Sequence, residues 1–202
     1  ALLYVPRSSE PAPSDKEVGR FLHDTILGLV TASKGGAFVL FTSRRQMDAM
    51  HSLCAHEIQK GLKLKVLHQD GRTSRQELIR QFRQDGNAVL FATRSFFEGV
   101  DITGSALRLV ILDKLPFDAS GPLTNVIDRR LGGRAFMARQ MPDMLVVLKQ
   151  AVGRLVRTNT DKGVIAVLDS RIRAKWHRRV MGSLPDAPDT WEIGDVQAFY
   201  SP

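Results

Sequence analysis

Gln150, Arg154 and Arg157 lie within the run QAVGRLVR. In a helix they stand at i, i+4 and i+7 and share one face, while Ala151, Val152, Leu155 and Val156 form the apolar side. Two guanidinium groups on one face can grip a phosphate in bidentate fashion. At a γ-phosphoryl group they would stabilise the charge that develops as the bond breaks. Gly153, lacking a Cβ, lets a partner approach the backbone closely. The same face also suits arginines that pair with carboxylates on a neighbouring helix, and the spacing alone does not decide between the two.

A second constellation is SFFEGVDITG, which follows an apolar strand-like run. Gly99 and Gly104 permit tight turns, and Glu98 and Asp101 set two carboxylates three residues apart. A carboxylate here could accept from a ribose hydroxyl or orient the arginines of the first motif. Paired carboxylates also fit general acid/base or metal chemistry, but no third ligand or histidine stands at a supporting interval. A plain loop with a helix-capping Asp is the simplest alternative.

Something must position these residues, and the apolar periodicity says what. After the short Ser/Pro-rich linker SSEPAPSD, Ser14 is placed to cap a helix through DKEVGRFLHDTILGLVTAS. AFVLFTS is then an apolar run of buried-strand length. A helix from about Arg44 to Lys60, the strand LKVLHQ, a helix capped near Thr73, and the strands NAVLFAT, LRLVILD and GVIAVLD continue the alternation. Such alternation implies βαβ crossovers and a doubly wound, mainly parallel α/β sheet with helices on both faces. Ligands in such sheets sit outside the carboxyl ends of the strands. The site is therefore expected among the exits TSRRQ, HQDGRTSR, ATRSFFEGVDITG and DKLPF. Arg72 and Arg75 add positive charge beside that edge, whereas Arg80 and Arg83 read as helix surface.

The 202 residues suffice for one domain with a sizeable core. A net charge of +8 points toward a polyanion such as nucleic acid or nucleotide phosphate, although a solvated basic surface would carry the same excess. The single cysteine, Cys54, excludes an intrachain disulfide and cannot alone hold zinc or an iron–sulfur cluster. The histidines at 23, 51, 56, 68 and 177 show no metal-ligand spacing. No run approaches the ~20 apolar residues of a membrane span, so a cytoplasmic setting is expected. The opening ALLYVPR, apolar and without an initiator methionine, suggests that more protein precedes it. Residues 1–14 read as an extended segment and linker, 15–183 as the domain, and 184–202 as a tail packed on it through Trp191, Phe199 and Tyr200.

VLFTS, FATRSFFEGVDITG and QAVGRLVR, in this order and at these intervals, resemble motifs IV, V and VI of superfamily 2 helicases, and most closely the DinG/XPD-type DNA helicases. LLYVPR, LDKLPF and GVIAVLDSR fit the same pattern, so the resemblance runs to about Arg179. It implies the C-terminal, second RecA-like lobe of a two-lobed ATP-dependent motor. Arg154 and Arg157 would then reach the ATP phosphates across the cleft, with Gln150 opening that motif and Gly153 inside it. Asp101 would stand near the ribose, and Glu98 and Gly99 would couple nucleotide state to DNA grip. Thr42, Ser43, Arg44 and Thr93 would meet the backbone of single-stranded DNA. Ser, Thr and Arg at strand exits, with Arg72 beside them, suit phosphate contacts that read no bases.

The departures are equally specific. Phe97 stands where the family usually has Trp, which keeps an aromatic ring but loses an N–H donor. No G-x-x-x-x-G-K-[ST] occurs, nor an acidic motif for Mg²⁺, so ATP and Mg²⁺ would be shared with a first lobe outside this sequence. Without that lobe the chain is expected to be inactive as an ATPase. The competing expectations are a catalytically silent RecA-like nucleic-acid binding module and, more remotely, a metal-dependent phosphoesterase built on Glu98 and Asp101.

Overall fold

The computed structural model describes residues 1–7, 15–97, 106–117, 121–155, 162–169, 177–183 and 187–201. The strands are β1 (Leu2–Tyr4), β2 (Ala37–Phe41), β3 (Val66–His68), β4 (Val89–Thr93), β5 (Leu109–Leu112), β6 (Val164–Val167) and β7 (Asp189–Thr190). They form one sheet in the order β3-β4-β2-β5-β6-β1-β7, and every described pairing is parallel. The helices are α1 (Asp15–Ser33), α2 (Arg44–His56), α3 (Arg75–Asp85), α4 (Arg94–Phe97), α5 (Pro122–Leu131), α6 (Met141–Leu155), α7 (His177–Met181) and α8 (Ile193–Tyr200). A π-helical turn, Glu57–Gly61, extends α2 to nearly the expected length.

The central strands are continuous apolar runs because both of their faces are covered. Side chains alternate across a strand, and β2 divides accordingly. Phe38 and Leu40 join one core with Leu78 and Phe82 of α3, Met144 and Leu148 of α6, and Val180 of α7. Ala37, Val39 and Phe41 join the other, with Ile26 and Leu29 of α1, Met50 and Cys54 of α2, and Val196 of α8. This is the doubly wound sheet that the alternation predicts.

Three local expectations shift. The cap of α3 is Ser74 rather than Thr73: its side chain accepts from the Glu77 amide at 3.2 Å. LKVLHQ contributes only its Val66–His68 core as strand. Within the C-terminal segment, β7 pairs with β1 through Leu3↔Asp189 and Tyr4↔Thr190, and a two-residue strand leaves no periodicity to read. The Tyr200 hydroxyl donates to the Arg108 carbonyl, and Trp191 lies under the Arg7 guanidinium, 4.7 Å from the ring centroid. Ser14, expected to cap α1, lies outside the described residues. No described helix is long and apolar enough to cross a membrane.

At the amino-terminal edge the turn before β2 needs glycine. Gly36 has φ +60°, and a Cβ there would stand 2.7 Å from the Ala106 carbonyl oxygen. Beside it, the Arg108 guanidinium donates to Ser33 O (3.3 Å), Lys34 O (3.1 Å), Gly86 O (3.2 Å) and Asn87 Oδ1 (2.8 Å). One side chain thus ties the ends of α1 and α3 to the start of β5.

Candidate functional site

Parallel strands all deliver their next residues to the same edge, and here those residues are polar. Thr42 follows β2, Gln69 follows β3, Thr93 ends β4, and Asp113 follows β5. The Thr42 amide donates to Asp113 Oδ1 at 3.0 Å and its hydroxyl to Oδ2 at 3.2 Å. The Thr93 amide and hydroxyl both donate to Gln69 Oε1, at 2.9 and 3.0 Å. Asp169, after β6, accepts the Leu115 amide at 3.1 Å. The exits are therefore cross-linked beyond the point where ladder pairing stops. Only 5% exposed, Asp113 has its carboxyl pushed above the ordinary range by burial, against the opposing pull of the Thr42 donors and Lys114.

Ser43 caps α2, its Oγ accepting the Gln46 amide at 3.2 Å. That bond uses a lone pair and leaves the hydroxyl proton available as a donor. Arg44 is exposed and lies against the next loop, with Nη1 3.6 Å from where a Gly71 Cβ would be. The Arg72 amide donates to Asp70 Oδ1 at 2.8 Å, a contact that helps hold the Asp70 carboxyl below its usual range. Its side chain is at the exposed surface. Thr42, Ser43, Arg44, Arg72 and Thr93 thus converge on one edge, where β2 and β4 are neighbours in register, Phe41 opposite Thr93. Exposed hydroxyl and guanidinium donors on a rigid edge can bind successive phosphates without reading bases.

Two further arginines brace the adjoining loops. Arg75 donates to the Phe96 carbonyl at 2.8 Å while its guanidinium lies 5.4 Å from the Phe96 ring centroid. Arg94 donates to the Pro116 carbonyl at 2.7 Å, joining the exits of β4 and β5. Glu98, Gly99 and Asp101, just after α4, lie outside the described residues.

α6 runs through Leu155, so Gln150, Gly153 and Arg154 are helical, and the Gln150 side chain is exposed. Arg157 lies outside the described residues. Buried Leu155 closes against Gly163, where a Cβ would stand 2.3 Å from Leu155 Cγ. Gly163 immediately precedes β6, so the last turn of α6 sits at the amino-terminal edge. Gly153 and Arg154 belong to that last turn of the helix.

Sequence reasoning passed over Gln69 and Asp113, although both stand in segments marked as strand exits. The available signal was an acceptor side chain directly after a buried strand, next to a neighbouring exit that ends in Thr. Among the described residues no group of three or more His, Cys, Asp or Glu is placed to hold a metal ion.

The family described as "Helicase C-terminal domain" matches residues 26–187. The chain is 39% identical over 204 residues to the ATP-dependent DNA helicase YoaA of Haemophilus influenzae, covering 98% of this chain and 31% of that protein. It is 34% identical over 202 residues to the ATP-dependent helicase DinG of Mycobacterium tuberculosis, covering 98% and 30%. The sequence thus spans about a third of the length of these relatives. Among solved structures, an XPD helicase superposes with a TM-score of 0.70 at 19% identity, over 94% of this chain and 35% of that one. The C-terminal domain of the DEAD-box protein Dbp5 superposes with a TM-score of 0.54 at 19% identity, over 98% and 94%. The fold is RecA-like.

Proposed function

This chain belongs to the helicase C-terminal domain family, and on that basis we propose that it is the second motor domain of a DinG/XPD-type ATP-dependent DNA helicase. The motor unit is residues 15–183, with β1 before it and β7 and α8 after it joined to the same sheet and cores. Its carboxyl edge grips the backbone of single-stranded DNA, and the observation that carries this reading is the convergence there of Ser43, Arg44 and Arg72 on a cross-linked row of strand exits. A phosphate-only grip lets a motor pass any sequence.

The end of α6 and the segment after it serve the nucleotide. Gln150, Arg154 and Arg157 donate to a triphosphate held mainly by a first lobe, and Gly153 allows close approach to the helix. Asp101 accepts from the ribose, and Glu98 and Gly99 link that contact to the DNA edge. Mg²⁺, which neutralises developing phosphoryl charge when bound, is held by the first lobe. Closure of the lobes on ATP and opening after hydrolysis move the DNA-gripping edge in small steps. The setting is cytoplasmic.

The test compares the full-length protein with this chain. Arg154→Ala or Arg157→Ala in the full-length helicase is expected to lower DNA-stimulated ATPase turnover about 10³-fold or more, as loss of an arginine finger does, with DNA affinity in the absence of ATP retained. This chain alone is expected to show no turnover above background. ATPase within a few-fold of wild type in both variants would overturn the motor reading and leave the catalytically silent binding module.

A further inference from the structure

We infer that Gln69, not Thr93, is the side chain that donates to the nucleic-acid backbone at the β3–β4 exit, and that Thr93 is its positioning residue. The inference rests on the nucleic-acid reading of this edge. It follows from counting hydrogens. Thr93 has two donor hydrogens, on its amide and its hydroxyl, and both are directed to Gln69 Oε1, at 2.9 and 3.0 Å. With its proton so committed, the Thr93 hydroxyl can only accept from Ser95 Oγ, 3.1 Å away. A phosphate oxygen is an acceptor, so Thr93 has nothing left to offer it.

Gln69 is in the complementary position. A backbone N–H cannot accept, so the atom facing the Thr93 amide must be the Gln69 oxygen, and this fixes which way the side-chain amide points. Its NH₂ group, with two donor hydrogens, is turned away from Thr93, and no described residue accepts from it. The Gln69 backbone is itself anchored, its amide donating to Phe91 O at 2.9 Å as an extension of the β3–β4 pairing. Half-buried Gln69 is thus held at its backbone and at its oxygen, and its NH₂ group is the end left without an acceptor among the described residues. Thr42 repeats the pattern with both donors committed to Asp113. Asp113 differs in having no donor to present when ionised. Of the two described exits cross-linked through a Thr, only the Gln69 one ends in a donor.

The probe is a fluorescently labelled oligothymidylate, its binding to the chain followed by anisotropy over a range of salt concentrations. Gln69→Glu keeps an acceptor for both Thr93 donors, so its melting temperature should match wild type, but it replaces the NH₂ with an anionic oxygen. Its affinity is expected to fall about tenfold or more, the equivalent of one charge-assisted hydrogen bond. Thr93→Ser retains both donors and should bind as wild type, whereas Thr93→Val loses the hydroxyl donor and should bind several-fold more weakly. Arg44→Ala is the control for the edge itself and should lower the salt slope by about one. If Arg44→Ala weakens binding while Gln69→Glu binds as wild type, the role given to Gln69 is wrong and the edge assignment stands. If neither substitution changes binding, or wild type does not bind, both are wrong.

Discussion

Arg108 should be worth more to the stability of this domain than any other single charged side chain at the amino edge. Its guanidinium donates to Ser33 O, Lys34 O, Gly86 O and Asn87 Oδ1, and so caps the carbonyl ends of α1 and α3, groups that the helices themselves leave unpaired. A hydrogen bond from a charged donor contributes about 1.5–3 kcal/mol when buried. Lys34 and Asn87 are exposed, so water replaces much of those two contacts, and the four do not add. The net loss in Arg108→Ala is then about 2–4 kcal/mol. For a domain of this size 1 kcal/mol corresponds to roughly 2–4 °C, so thermal unfolding followed by circular dichroism should move down by about 5–15 °C. Arg108→Lys keeps the charge but lacks the planar fork, and should recover less than half. Because this edge lies opposite the strand exits, the folded variant should bind oligothymidylate like wild type. A Arg108→Ala protein within about 0.5 kcal/mol of wild type, the range of an ordinary surface change, would refute the capping argument.

Two titrations follow from buried or stacked groups. His51 and His68 stack with ring centroids 4.0 Å apart, and burial together with His68 holds the His51 imidazole below its ordinary value, opposed by Asp48 and Asp70. A depressed histidine favours the neutral fold, so its share of stability is present above the ordinary imidazole value and is lost as pH falls through the folded one. Denaturant midpoints should therefore drop between about pH 7 and pH 5, and the drop should be smaller in His51→Phe, which keeps the stack. Asp113 has the opposite sign: burial raises its carboxyl, so its share is present below the ordinary carboxylate range and fades as pH rises through the folded value. Asp113→Asn, whose Oδ1 still accepts the Thr42 amide, should match or exceed wild-type melting temperature at pH 8 and fall behind it near pH 4.

The sheet was legible because its strands carry their environment in their composition. Ala37–Phe41, Val89–Thr93 up to its final Thr, Leu109–Leu112 and Val164–Val167 are apolar without alternation, as strands covered on both faces must be. β7 was not legible, since two polar residues become a strand only by lying beside Leu3 and Tyr4. At the site, residue types at strand exits marked the edge on which Ser43 and Arg44 lie together. What they could not reveal was the division of labour along it. Whether Thr93 has a free donor depends on Gln69, 24 residues away, and the state of Thr42 depends on Asp113, 71 residues away. Such pairings are set by strand order, which no local pattern records. The helix that carries Gln150 and Arg154 was legible from its period of 3.6, whereas the seating of its last turn, Leu155 against Gly163, was not.

The position of β1 between β6 and β7 bears on how this protein can be cut for study. A recombinant piece trimmed to the span that matches the family, 26–187, would discard β1, β7, α8 and the first half of α1. Val164, Ile165 and Ala166 would then form an open apolar strand border, and the α1 side of the second core would lose the Val196 packing. Bare parallel borders of this kind recruit other chains, so the shorter piece should be recovered from inclusion bodies while one that retains both terminal strands stays in solution.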